Sequence, residues 1–241
     1  MNPLLYGHRG ARGHAPENTI PSFDIATKMG VDGFELDVHE SRDGKLVVMH
    51  DDTVNRTTDG EGAIISMNSD KIKRLDAGIK FGDKWKGTNV PFLEEVLDAF
   101  SEFKIKIELK HSSKVYPHIE EKLLEAVKSR KMLDNIQFIS FDFDAIKNIS
   151  ELDRRATTGI LIFGKPLWFI DKARKLGSEW IQAFYGLIDG DDVELLHKGG
   201  LKIGVWTIND AADVRNMLSI GADDLTSDYP DVLVKMLKAS S

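Results

Sequence analysis

The chain has 241 residues, 41% of them hydrophobic and 29% charged, with no cysteine, 20 glycines and 7 prolines. That composition excludes a disordered chain, a collagen-like repeat, a disulfide scaffold, thiolate zinc or iron–sulfur sites and a cysteine nucleophile. Against 39 acidic residues stand 32 basic ones, a net charge of −7, and an acidic surface opposes non-specific nucleic-acid binding.

In chain order, short apolar and β-branched runs alternate with segments of helical period. Strands are expected at Leu4–His8, Gly33–Val38, Ile105–Leu109, Ile136–Ser140, Gly159–Phe163, Trp180–Ala183, Lys202–Thr207 and Asp224–Ser227. Helices are expected at Ile20–Met29 (closed by Gly30), Val115–Lys131, Asp144–Leu152, Leu167–Leu176, Asp192–His197, Ala211–Ile220 and Pro230–Leu237. This alternation means parallel strands joined by crossover helices, and eight strands is the number that closes a (β/α)8 TIM barrel of the α/β class. The rival is an open doubly wound sheet, but no Gly-x-Gly-x-x-Gly follows the first strand.

One segment, His39–Phe103, breaks the rhythm. It holds an extra strand, Lys45–His50, and a glycine-punctuated run, Thr57–Gly62. Following a strand's C-terminal end, such a segment lies over the active-site face of a barrel. Residues 1–241 therefore read as one catalytic barrel with an insertion after strand 2, at about 51–103. No run approaches the ~18 apolar residues of a membrane helix. Met1–Tyr6 is too short for a signal peptide before His8 and Arg9 interrupt it. No transmembrane segment and a cytoplasmic location are expected, with Ala239–Ser241 as a frayed tail; a homo-oligomer stays open.

Glu35 and Asp37 lie two residues apart on an apolar strand, so alternation puts both on one face. Inside a barrel they repel and burial penalises each; a divalent cation relieves both costs, and oxygen donors suit hard ions such as Mg2+ or Ca2+. Glu108 and Lys110 repeat the spacing on the neighbouring third strand, adding a third carboxylate and a fixed positive charge; a plain Glu108–Lys110 ion pair is the simpler alternative. His8 ends the first strand with Arg9 behind it, and His50 ends its own run before Asp51 and Asp52. Imidazoles, with an unperturbed pKa of about 6.5, suit acid–base work near neutral pH. Arg9 and Lys110 imply an anionic substrate. Spacing alone therefore reads as a metal-assisted hydrolase of a phosphate ester. His14, His39, His111 and His118 have no evident partner, and His197 reads as a helix-end residue. Asp189–Asp192 reads as a loop leading into a helix cap, and Asp223 and Asp224 as capping residues.

His8-Arg9-Gly10, Pro16-Glu17-Asn18-Thr19, Glu35-Leu36-Asp37-Val38, His50-Asp51-Asp52-Thr53, Asn55–Thr58, Pro91–Glu95, Glu108-Leu109-Lys110, Ser140-Phe141, Val205–Asn209 and Gly221-Ala222-Asp223 follow one another along the chain. In that order they resemble the glycerophosphodiester phosphodiesterase family, from about residue 4 to about residue 237. The resemblance implies a TIM barrel with an insertion after strand 2. It implies hydrolysis of small-molecule glycerophosphodiesters, such as glycerophosphocholine and glycerophosphoethanolamine, to sn-glycerol 3-phosphate and an alcohol. Glu35, Asp37 and Glu108 are then the ligands of one divalent ion, Mg2+ or Ca2+ with Mn2+ as a further option. His8 and His50 are the acid–base pair, and Arg9 and Lys110 hold the phosphate. Glu17 lies at the metal's edge or orients Arg9. Trp206, ending strand seven, packs on the glycerol, selects the head group or merely fills the barrel top. The attacker is water or the neighbouring glycerol hydroxyl. One rival is lysophospholipase D or phosphoinositide phospholipase-like activity, with Ile64, Ile65, Met67, Phe81 and Trp85 as an apolar rim on the insertion. Others are a non-catalytic ligand-binding barrel and, more weakly, a glycosidase built on Glu35 and Asp37.

Overall fold

In the computed structural model, which describes residues 2–240, the apolar runs form strands and the amphipathic runs pack around them as helices. In chain order the elements are β1 (Leu4–Gly7), α1 (Ile20–Met29), β2 (Gly33–Glu40), β3 (Leu46–Val48), α2 (Ser69–Lys73), α3 (Leu93–Ala99), β4 (Lys104–Leu109), α4 (Ile119–Ser129), β5 (Ile136–Ser140), α5 (Phe143–Leu152), β6 (Thr157–Ile162), α6 (Ile170–Lys175), β7 (Trp180–Phe184), α7 (Gly190–Lys198), β8 (Lys202–Trp206), α8 (Ala211–Ile220), β9 (Asp224–Ser227) and α9 (Pro230–Ser240). Hydrogen-bonded neighbours run β1-β9-β8-β7-β6-β5-β4-β2, all parallel, and β1 pairs back onto β2. Among the described residues these eight strands close a TIM barrel, as the alternation implied. β3 lies outside it, antiparallel to β2, with Val38 opposite Val48. No helix of the described residues is long and apolar enough to cross a membrane.

Local chemistry sets the element ends. The Thr19 side chain accepts from the Ser22 N–H to start α1, Pro21 occupies its first turn, and Gly30 ends it at φ 89°. Asp189 and Asp192 form a reciprocal capping box on α7, so the acidic loop does lead into a cap. α4 begins at Ile119 rather than Val115, because Pro117 and then His118, at φ 64°, break the helical path first. α9 runs through Ala239 to Ser240, where fraying was expected; Ser241 lies outside the described residues.

Two apolar layers flank the barrel wall. Phe34, Leu36, Ile105, Ile107 and Phe138 pack against Phe23, Leu93, Leu97, Ile119 and Leu123, and a matching cluster backs β6 to β9. Because Leu93, Val96 and Leu97 join the first layer, α3 is a barrel helix, and the insertion proper ends ahead of it. The insertion has its own small core of Val47, Met49, Val54, Ile64, Met67, Ile72, Ala77 and Val90. Ile64 and Met67, expected on an apolar rim, are buried there instead.

The barrel interior is polar at one level. Lys106, fully buried on β4, donates to Asp224, to Gln182 Oε1 (3.2 Å) and to Thr226 Oγ1 (3.2 Å), and lies 4.2 Å from the Tyr6 ring centroid. A Cβ at Gly204 would meet Gln182 Oε1 at 2.2 Å and Asp224 Oδ1 at 2.4 Å, so glycine makes the room for this network. Asp224 is therefore an interior ion-pair partner and not a capping residue. Asp223 does brace the backbone, accepting from the Ile203 N–H at 2.8 Å.

Candidate active site

Alternation along β2 turns Glu35 and Asp37 to one face, and the register that pairs Asp37 with Glu108 sets the β4 carboxylate beside them. All three are buried, and one oxygen from each lies within 4.8 Å of the others. Lys110 donates to Glu108 Oε1 at 2.7 Å and to Asp37 Oδ1 at 3.2 Å, so the ion pair weighed above exists but is shared across the cluster. Burial, then Asp37 and Glu108, push the Glu35 carboxyl well above its usual range. Burial and Asp37 raise Glu108 to about 7. Asp37 goes the other way: burial would raise it, but Lys110 and Arg9 outweigh that and hold it below the usual range. Burial would lower the Lys110 ammonium, and Asp37 and Glu108 raise it to about 12.

The loop after β1 wraps this cluster. Arg9, in the left-handed region at φ 51°, donates its backbone N–H to Glu35 Oε2 at 3.0 Å and its Nη1 to Glu17 Oε1 at 2.8 Å. Asn18, also left-handed at φ 57°, donates Nδ2 to Asp37 Oδ2 at 2.7 Å and its backbone N–H to the Arg9 carbonyl at 3.0 Å. Two such non-glycine residues side by side are costly unless their surroundings over-determine them, as these hydrogen bonds do. Glu17 sits on the arginine side, accepting also from Arg12 (3.0 Å) and Arg56 (2.7 and 2.9 Å). Burial would raise its carboxyl, but Arg56 and Arg9 bring it down to about 2. Glu17 thus ties Arg9, Arg12 and Arg56 together through its two carboxylate oxygens.

Each imidazole has a carboxylate behind it. His8 Nδ1 lies 2.6 Å from Asp228 Oδ1, and its Nε2 lies 3.9 Å from Glu35 Oε2. His50 Nδ1 lies 2.7 Å from Asp51 Oδ1, and Arg56 holds both oxygens of that carboxylate, donating Nη2 to Oδ1 at 2.9 Å and Nε to Oδ2 at 2.8 Å. A proton on Nδ1 towards each carboxylate leaves Nε2 as the free acceptor. Burial lowers both rings' pKa values, opposed at His8 by Asp228 and at His50 chiefly by Asp37. His8, Arg9, Glu35, His50, Glu108, Lys110 and Trp206 all line one cavity of about 260 Å³. Trp206, at the end of β8, stands edge-on to Phe141 and Phe184 at 5.8 and 6.0 Å, and its buried Nε1 has no hydrogen-bond partner among the described residues. It is thus both a packing residue and a wall with a spare donor.

Sequence reading missed several of these supports. Asn18 and Arg56 lie inside quoted motifs but had no role assigned, and Lys106 shares the strand parity of Glu108. Asp228 carried no local signal. Of the histidines left without partners, His14 pairs with Asp231 (2.8 Å), His111 with Asp52 (2.9 Å) and His118 with Glu121 (3.4 Å); His197, read as a helix-end residue, lies in the last turn of α7 against Asp223 (2.8 Å). His39 is buried, which lowers it to about 4.

The fold is a TIM barrel, and one cavity gathers imidazoles, carboxylates and the cations Arg9 and Lys110. Residues 8–232 match the glycerophosphoryl diester phosphodiesterase family. The glycerophosphodiester phosphodiesterase of Caldanaerobacter subterraneus subsp. tengcongensis is 35% identical over 240 residues, 99% of each chain. The structure of an Oleispira antarctica phosphodiesterase in complex with the product sn-glycerol-3-phosphate matches with a TM-score of 0.93 at 28% identity, covering 98% of this chain and 97% of that one. A glycerophosphodiester phosphodiesterase from Agrobacterium tumefaciens matches with a TM-score of 0.84 at 29% identity, covering 97% and 99%. The chain belongs to the glycerophosphoryl diester phosphodiesterase family.

Proposed function

We propose that this phosphodiesterase hydrolyses glycerophosphodiesters to sn-glycerol 3-phosphate and an alcohol, with a divalent cation on Glu35, Asp37 and Glu108 and with His8 and His50 as the acid–base pair. The observation that carries the reading is the pair of carboxylate-backed imidazoles on one cavity that also holds Glu35 and Glu108. The product named in the Oleispira complex supports the glycerol phosphate half of the substrate.

The donor set fits a hard cation: three buried carboxylates, two of them pushed up by burial and mutual repulsion, with oxygens gathered within 4.8 Å. Mg2+ or Ca2+ suits it, with Mn2+ as a further option. Bound there, such an ion supplies positive charge against the charge that builds on the phosphoryl oxygens. The chain's own groups do the rest. Arg9 and Lys110 bind and orient the phosphate. One imidazole Nε2 takes the proton from the attacking oxygen, of water or of the neighbouring glycerol hydroxyl, as it bonds to phosphorus. The bond from phosphorus to the alcohol oxygen breaks, and the other imidazole protonates that oxygen, so an alcohol departs and not an alkoxide; when the glycerol hydroxyl attacks, this leaves a cyclic phosphate that water then opens to glycerol 3-phosphate. Asp228 and Asp51 take the Nδ1–H of each ring, so Nε2 faces the substrate in both, as a lone pair on the base and as an N–H on the acid, which acts as the imidazolium. Trp206 walls the substrate side of the cavity.

The test is release of glycerol 3-phosphate from glycerophosphocholine and glycerophosphoethanolamine. Chelation is expected to abolish release, and Mg2+, Ca2+ or Mn2+ to restore it; release that survives the chelator removes the cation from the reading. His8→Ala and His50→Ala are each expected to cut turnover roughly 10²–10⁴-fold while calorimetric cation affinity stays nearly unchanged. Near-normal turnover in either variant refutes its acid–base role. A second reading, lysophospholipase D-like activity, is favoured by Phe163, 69% exposed and stacked on Phe184 beside Trp206. Lysophosphatidylcholine assayed beside glycerophosphocholine decides between them, and any release excludes a barrel that only binds.

A further inference from the structure

Beside the proposed chemistry, β2, the insertion and the loop after β4 bring together three groups that it does not use. His39 is fully buried, and its Nε2 lies 3.1 Å from the backbone carbonyl oxygen of His50. A carbonyl only accepts, so Nε2 carries the proton and Nδ1 presents its lone pair. Asp52 Oδ1 lies 3.6 Å from that nitrogen, and the same oxygen lies 2.9 Å from His111 Nε2. Tyr116 Oη lies 2.9 Å from His39 Nδ1 and has one proton to give. Tyr116 therefore holds the Nδ1 lone pair when no ion is present, and an ion that displaces the phenol meets two imidazole nitrogens and a carboxylate oxygen already gathered within 4.8 Å.

We propose that His39, Asp52 and His111 form a second cation site, suited to Zn2+ and similar borderline ions rather than to the hard ions of the carboxylate trio. Two imidazoles and one carboxylate are a zinc donor set that leaves a fourth position for water. Donor atoms at about 2.0–2.2 Å from a tetrahedral ion stand about 3.4 Å apart. The observed 3.6 and 2.9 Å bracket that spacing, and one donor atom from each residue falls within 4.8 Å of the others. The site is half rigid and half open. His39 is fixed through its Nε2–H on the His50 carbonyl, and an ion takes Nδ1 in place of the Tyr116 hydroxyl; the Asp52 and His111 side chains are 67% and 36% exposed, so the ion enters from solvent.

The test uses the full chain, stripped with chelator and kept in excess Mg2+ to occupy the carboxylate centre. Zn2+ is titrated by calorimetry, and Co2+ is followed by the visible absorption of a tetrahedral ion. One Zn2+ per chain is expected, with affinity weakened at least about tenfold in His111→Ala and in Asp52→Ala and unchanged in Glu35→Gln. Both diagnostic residues are partly exposed, and thermal unfolding of each variant checks the fold. No uptake, uptake indifferent to both His111→Ala and Asp52→Ala, or uptake lost in Glu35→Gln overturns the site. Turnover enters nowhere, so failure here is distinct from failure of the phosphodiesterase mechanism.

Discussion

His8 takes its orientation from a residue 220 positions away, since Asp228 faces its Nδ1 at 2.6 Å. Asp228→Asn keeps the shape and removes the charge that favours a protonated ring. We expect kcat to fall at least about tenfold with KM little changed, read from steady-state kinetics on glycerophosphocholine. Glu17 makes a stability prediction. Its folded carboxyl sits at about 2 against an ordinary 4.5, so the stabilisation is present above about 4.5 and disappears as pH falls towards 2. Glu17→Gln is expected to cost about 2–3 kcal/mol at pH 7 and much less near pH 2–3, measured by urea unfolding at both. At this scale Glu35, Asp37, Glu108 and Lys110 were legible because strand alternation is a local, period-two rule. Asp51 was adjacent to His50 and just as readable. Asp228 was not, because nothing within its own neighbourhood says that the turn after the last strand meets the end of the first.

Among elements, β4 shows how one strand serves two purposes. Its even-numbered side chains Lys106 and Glu108 share a face: the first is locked to Asp224 deep in the barrel, and the second joins the carboxylates above it. Removing one partner of a buried ion pair strands the other, so Lys106→Met is expected to destabilise the fold by about 3–5 kcal/mol, seen as a lower midpoint in thermal or urea unfolding. A drop below 1 kcal/mol would mean that Gln182, Thr226 and water satisfy Asp224 unaided. The strands were readable from apolar runs, and α1 and α8 from caps that end in Gly30 and Gly221. The start of α4 was not, because the amphipathic period continues back to Val115 while Pro117 and His118 cut it short. Nor was the split of the long segment, where Ile64 and Met67 look like rim residues until a local core exists to take them.

For the whole molecule, eight apolar runs announced the barrel, but closure itself depends on pairs no window of sequence contains: Tyr6 with Gly33 on one side of β1 and Leu4 with Asp224 on the other. Deleting everything after Asp223 removes β9, α9 and Asp228 together, reopening the sheet beside His8. Such a chain is expected to lose its cooperative unfolding transition as well as its turnover. The meeting of His8 with Asp228 has a temporal side too. Because a chain is made from its N-terminal side, His8 is synthesised 220 residues before the carboxylate that faces its Nδ1. A polypeptide stopped anywhere between the two therefore carries the imidazole without the carboxylate that orients it, whatever else it has folded.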